Sequence, residues 1–173
     1  MSFAYKFIKS RVGELKLIAK DDKLAAILWE NDDPSRIPMP EMEEDAERPV
    51  LVETARQLEE YFAGQRSQFD VPTNFQGTEF QRKVWNALLR IPFGETRSYA
   101  QIAKLVGSEK AFRAVGAANG RNPISIIAAC HRVIGASGKL VGFAGGLETK
   151  KFLLDLEAAR AKAIVSGEAP EQA

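Results

Sequence analysis

The second half of the chain is cut into short pieces by its own punctuation, which limits the folds open to it more than any other feature. Thr78-Glu79-Phe80-Gln81 and Ser98-Tyr99-Ala100-Gln101 are capping boxes, in which a hydroxyl residue and a Gln three positions later satisfy each other's backbone N–H groups at a helix start. The first predicts a helix to about Arg90 that buries Phe80, Val84 and Leu88 and stops before Pro92. The second predicts a short helix ending at Gly107, and Ser108 is placed to cap a third that runs to about Asn119 and closes at Gly120. Two short helices joined by Gly107-Ser108 fit a helix-turn-helix whose second member reads DNA; they equally fit a pair that only packs a core.

The first half reads differently. Phe3 to Ser10, Glu14 to Lys20 and Leu24 to Trp29 are short runs separated by turn-like spacings, which predicts a three-stranded antiparallel meander. Residues 31–49 hold four prolines and seven acidic residues and are expected to form an irregular, solvated loop. Val50 to Ala63 predicts a helix with Leu51, Ala55, Leu58 and Phe62 on one face, closed by Gly64, and Val71 to Gly77 predicts a linker. Two domains follow: an N-terminal α/β domain with a small antiparallel sheet, residues 1–75, and a mostly α-helical C-terminal domain with a (winged) helix-turn-helix, residues 76–173.

The net charge of +1 conceals an asymmetry. Residues 1–75 carry 10 Lys+Arg against 15 Asp+Glu, while residues 76–173 carry 14 against 8, so the C-terminal half has the balance that faces a polyanion. No apolar run approaches the ~20 residues of a membrane-spanning helix, and the N-terminus lacks a signal-peptide core, so a soluble, cytoplasmic protein is expected. A single Cys excludes an internal disulfide, and one Cys with one His leaves no structural zinc site of the usual kind.

That Cys and that His are adjacent, as Cys130-His131, after the apolar run Ile124 to Ala129, which reads as a buried strand or segment feeding a polar turn. A nucleophilic cysteine must become thiolate, and a neighbouring base or cation favours this; His131 and Arg132 offer both. Side chains one apart point in different directions, so a water is expected between His131 and the sulfur. Taken alone, the pair also describes a buried structural cysteine beside a surface histidine. Leu147 to Lys162 predicts a helix with Leu147, Leu153, Leu154 and Ala161 on one side, and Glu157 shares that apolar face. A carboxylate so placed needs a partner: the lone imidazole, or alternatively Lys150, Lys151 or Arg160.

The spaced set Ser98-Tyr99, Arg113-Ala114-Val115-Gly116, Asn122-Pro123-Ile124, Cys130-His131-Arg132-Val133, Gly145-Gly146, Lys151, Leu153, Leu154 and Glu157 resembles the O6-alkylguanine-DNA alkyltransferases (methylated-DNA–protein-cysteine methyltransferases). The resemblance implies repair of O6-alkylguanine, and O4-alkylthymine, in double-stranded DNA by irreversible transfer of the alkyl group to Cys130, with no cofactor, no metal, no membrane partner and a monomeric protein. It implies Cys130 as nucleophile, His131 as base through water, Glu157 as the group orienting the imidazole, Asn122 as a brace and Tyr99 as a phenol facing the leaving guanine. Arg113 is implied as the finger that fills the gap left by a flipped base, with Tyr99, Ala114, Gly116, Ala117 and Ala118 against a minor groove. Phe143, Val133 and Ala144 are implied to line the base pocket. The chain departs from the family at Ala129, where proline is usual, and at Phe143, where many members have tyrosine. Two other readings stand beside this one: a non-catalytic binder that flags alkylated DNA, against which the presence of Cys130 counts, and a transcription regulator inferred from the helix-turn-helix alone.

Overall fold

A computed structural model describes residues 2–138, 140 and 142–167; the last six positions of the expected C-terminal domain lie outside these. The three predicted strands form, as β1 (Phe3–Ser10), β2 (Gly13–Lys20) and β3 (Lys23–Leu28). β1 pairs antiparallel with β2, and β2 antiparallel with β3. Alternation sets the faces: Leu15, Leu17 and Ala19 of β2 point inward, while Ile18 points to the other side. A fourth strand, β4 (Glu43–Glu44), runs parallel to β1, so the sheet is mixed in the order β3-β2-β1-β4 rather than purely antiparallel. Two charged, exposed residues give no strand signal, which is why β4 escapes the sequence. The acidic loop also does more than face water, since Met39 and Met42 pack over Ile18 and Ala26 on the outer face of the sheet.

Helix α1 (Pro49–Phe62) opens with proline in its first turn, where a missing N–H costs nothing. It ends with Gly64 at φ +74°, whose N–H reaches the Tyr61 carbonyl while Gln65 N–H reaches that of Glu60. Its Leu51, Leu58, Tyr61 and Phe62 join the inner face of the sheet. The expected linker is tied down: Leu24 N–H donates to Pro72 O and Asn74 N–H to Leu24 O, which extends pairing along β3.

Both capping boxes are present. Thr78 and Gln81 exchange bonds of 3.1 and 2.9 Å at the start of α2 (Glu79–Leu89), and Ser98 and Gln101 bonds of 3.1 and 2.8 Å at the start of α3 (Tyr99–Leu105). The third helix, α4 (Phe112–Gly120), starts later than expected. Ser108 does not cap it; the Ser108 carbonyl accepts Ala111 N–H in a turn, and Ala111 precedes the helix without a side-chain cap. Trp85 of α2 donates its indole N–H to Ala118 O at 2.8 Å and so locks α2 to α4. A short parallel pair, β5 (Arg97–Ser98) with β6 (Val133–Ile134), ties α3 to the segment after the cysteine.

Ile124 to Ala129 is buried as expected but is not a strand. One bridge joins Ile124 to Ile27, and the chain then turns through Ile126 at φ +74°. Ile124, Ile126 and Ile127 belong to the sheet-side core, and Ala128 and Cys130 to the helical core around Val84, Trp85, Leu88, Ile102 and Val115. The segment is therefore the seam between two cores.

Glycines test the turn geometry, because the same substitution has opposite signs at two of them. Gly107 closes α3 at φ +78°, so Gly107→Ala is expected to cost about 1–2 kcal/mol. Gly120 has ordinary φ and open space at its Cβ, so Gly120→Ala is expected to stabilise by about 0.4–1 kcal/mol. Urea unfolding of both variants checks this; a loss at both positions contradicts the assignment.

Candidate active site

Cys130 opens a single 3-10 turn, Cys130–Arg132, and all three residues are buried. Ala129 precedes it at φ −77°, within the range of the proline it replaces, so the departure leaves the backbone path intact. Asn122, fully buried, braces the loop from both ends of its amide: Nδ2 donates to Ala128 O at 2.8 Å, and Oδ1 accepts Ile124 N–H at 3.1 Å.

His131 is fully buried, and its Nε2 lies 2.6 Å from Glu157 Oε2. Glu157 sits on α5 (Leu147–Val165) and is also buried, so the predicted pairing is found. The carboxylate has further partners that the sequence did not reveal. Arg132 donates Nε to Oε1 at 2.7 Å and Nη2 to Oε2 at 3.0 Å, and the Tyr61 hydroxyl donates to Oε2 at 2.5 Å. Arg132 Nη1 also donates to Ile91 O at 2.6 Å. Although burial opposes ionisation of Glu157, the His131 and Arg132 contacts outweigh it and hold the carboxyl at about 2.

This charge balance decides the state of the imidazole. Glu157 is already matched by the Arg132 guanidinium, so an imidazolium would add a buried charge without a counter-ion. Burial pushes the His131 pKa down, against the pull of Glu157. A neutral ring facing a carboxylate must place its proton on Nε2, which leaves Nδ1 as the bare acceptor. Nδ1 is buried and has no hydrogen-bond partner among the described residues.

The thiol is 5% exposed, and burial pushes its pKa up; Asn122, Arg36, Lys150 and Ser125 pull it down without reversing the direction. Two of these neighbours are cations absent from the sequence expectation. Lys150 of α5 is buried and donates to Val133 O at 2.6 Å, with its ammonium 5.8 Å from the Phe143 ring. Arg36, from the acidic loop, donates Nη1 to Asn122 O at 2.9 Å and to Gly120 O at 3.1 Å while Asp32 holds its other nitrogens at 2.7 Å.

The buried face of α5 thus reads Lys150, Leu153, Glu157, Arg160, with three of its four members charged, whereas Leu147, expected inside, is half exposed. Val133 is buried, and Phe143 stands edge-on to Trp29 with centroids 5.5 Å apart, but Ala144 lies exposed on the neighbouring turn. Tyr99, the first residue of α3, is partly buried, and burial together with the neighbouring Cys130 pushes its pKa up. Gly116 faces the Tyr99 ring. Arg113, Ala114 and Ala117 lie exposed on α4, whereas Ala118, expected beside them, is buried in the helical core. Among the described residues, no group of His, Cys, Asp and Glu could hold a metal ion.

Acid stability reports on this network. Glu157 is depressed from its ordinary value to about 2, so its contribution is present above pH ~4.3 and is lost as pH falls through about 2; linkage makes it on the order of 3 kcal/mol. His131, also depressed, adds acid lability that begins below about 6.5. Glu157→Gln leaves Arg132 buried without its counter-ion, so a loss of about 3–5 kcal/mol at neutral pH is expected, together with a flatter profile from pH ~4.3 to ~2. Urea midpoints across this range check it; parallel profiles for the two proteins contradict it.

Comparison with known proteins agrees with the geometry. The family description "6-O-methylguanine DNA methyltransferase, ribonuclease-like domain" matches residues 3–75, and "6-O-methylguanine DNA methyltransferase, DNA binding domain" matches residues 79–159. A methylated-DNA–protein-cysteine methyltransferase of Methanosarcina mazei is 48% identical over 154 residues, spanning 88% of this chain and 96% of that protein. One from Methanosarcina acetivorans is 64% identical over 105 residues, spanning 61% of this chain and 67% of that protein. The structure of Mycobacterium tuberculosis OGT in complex with DNA matches with a TM-score of 0.84 at 44% identity, over 91% of this chain and 94% of that one. With both of its halves matched and a relative aligned over almost its whole length, the chain belongs to the 6-O-methylguanine DNA methyltransferase family.

Proposed function

We propose that this DNA-repair methyltransferase removes the alkyl group from O6-alkylguanine, and from O4-alkylthymine, in duplex DNA by transferring it to its own Cys130. The observation that carries this reading is the buried chain His131, Glu157, Arg132 next to the buried Cys130, with the imidazole held neutral and its acceptor nitrogen without a hydrogen-bond partner among the described residues. His131 Nδ1 takes the thiol proton through one water, the sulfur attacks the alkyl carbon, and the bond from that carbon to O6 breaks with its electron pair leaving on the guanine. Tyr99 offers its hydroxyl to the departing base. The product is a thioether, which has no good leaving group, so each molecule acts once.

A base inside a duplex is out of reach of a buried thiol and must be flipped. The exposed row Arg113, Ala114, Ala117 on α4 supports minor-groove docking: small side chains permit close approach, and Arg113 fills the space the base vacates. The family's DNA-bound relative in M. tuberculosis supports DNA as the partner.

Intact mass after incubation with duplex O6-methylguanine is expected to rise by one methyl group per chain, and Cys130→Ala is expected to bind DNA without any rise. Repeated turnover by one molecule contradicts the single-use reading, and binding without modification favours lesion flagging. Arg113→Ala is expected to lose most of its transfer rate on the duplex, yet react within about two-fold of the parent on free O6-benzylguanine, since only the duplex requires extrusion costing a few kcal/mol. Equal losses on both substrates remove the finger role from Arg113.

A further inference from the structure

Tyr61 lies on α1, in the sheet-bearing half, ninety-six positions before Glu157 in sequence, yet the two side chains meet. Its ring is fully packed among aromatics: Phe62 and Phe69 at 5.3 Å and Phe93 at 6.5 Å between centroids. Phe93 in turn lies 5.5 Å beneath the Arg132 guanidinium. The ring therefore has little freedom, and its one polar atom is aimed at Glu157 Oε2. The contact of α5 with the end of α1 is reinforced beside it, where Arg160 donates to Gly64 O and Arg11, between β1 and β2, donates to Phe62 O while its guanidinium lies 4.9 Å from the Phe152 ring.

Oε2 is the oxygen that also faces His131 Nε2, so three donors converge on it: Tyr61 O–H, His131 Nε2–H and Arg132 Nη2–H. Each donor withdraws charge from the same acceptor. The charged groups facing the imidazole are Glu157 and Lys150 from α5 and Arg132 from its own turn, and Tyr61 of α1 reaches it through Glu157. Of these only Glu157 favours the imidazolium, and Tyr61 weakens that pull without adding charge, because burial beside a carboxylate keeps its phenol protonated.

We propose that Tyr61 is a positioning residue for the base: from the N-terminal half it holds Glu157 Oε2 and thereby keeps His131 neutral, with its proton on Nε2 and Nδ1 left as the acceptor. This rests on the reading of His131 as the base of the transfer. Removing the hydroxyl concentrates the carboxylate's charge on the remaining donors, stabilises the imidazolium and raises the pH below which the base is lost.

His131 is the chain's one histidine, so 15N-histidine labelling gives a single, unambiguous imidazole by NMR. The parent protein is expected to show the Nε2–H tautomer and a titration midpoint below about 6.5. In Tyr61→Phe the midpoint is expected to rise by about half to one pH unit. The acid limb of the rate with free O6-benzylguanine is expected to rise by the same amount, with the rate at pH ~8 within about two-fold of the parent. Incorporating 3-fluorotyrosine at position 61, which preserves shape and strengthens the donor, is expected to move the midpoint down, and it tests the idea even if the Phe variant fails to fold. An unmoved midpoint in either folded variant, or a rate loss equal at every pH, overturns the proposal. A shifted midpoint in a protein that transfers no alkyl group supports the Tyr61 hold and refutes the proposed function instead.

Discussion

A carboxylate buried between two halves of a chain is costly unless its lone pairs and its charge are both answered, and Glu157 has both answered. Arg132 supplies the counter-charge through two nitrogens, Tyr61 a hydroxyl, and His131 a ring N–H. These donors come from α1 and from the 3-10 turn, while the acceptor comes from α5. The position of the cysteine turn is thereby referred to a helix on either side of it. Loss of any one donor both leaves an acceptor under-satisfied and shifts the charge seen by the imidazole, so stability and protonation state are coupled at this point.

Around that hub the cysteine loop is held by backbone groups. Asn122 ties its own end of the segment to Ala128, and Arg36, anchored by Asp32, ties the carbonyls of Gly120 and Asn122 to the loop that follows β3. Between them Ile126 sits at φ +74°, a conformation that a β-branched residue adopts only when its surroundings impose it, and its complete burial among isoleucines and leucines provides the imposition. Trp29 packs edge-on to Phe143 from the sheet side, and a Cβ at Gly145 would come within 2.9 Å of the indole, so Gly145 is required for that close approach. The N-terminal half is thus part of the site's construction through Trp29, Arg36 and Tyr61.

What the sequence disclosed depended on whether the signal was local. The capping boxes at Thr78 and Ser98 were legible because both partners lie within four residues, and Glu157 was legible because helical phase placed it beside Leu153. Lys150 and Arg160 on the same face were not, since periodicity counts such residues as solvent-facing, and it is tertiary partners such as Val133 O and Gly64 O that make their burial tolerable. Tyr61 was hidden for a related reason: in sequence it is one more aromatic of an amphipathic helix, and its role depends on a contact with a residue far along the chain. The mixed sheet was missed because a two-residue strand of exposed glutamates has no pattern to read. Arg132 followed the conspicuous Cys-His pair and was read as a cation for the thiolate; the structure turns it to the carboxylate instead.

In the proposed mechanism the resting nucleophile is a neutral thiol beside a neutral imidazole, and the proton moves only when substrate is in place. Ultraviolet titration of thiolate absorbance tests this directly, because Cys130 is the chain's one cysteine and Cys130→Ala supplies the blank. The predicted result is a thiol that stays protonated through neutral pH and ionises above the ordinary value of about 8.5. A thiolate already formed at pH ~7 in the free protein would contradict it.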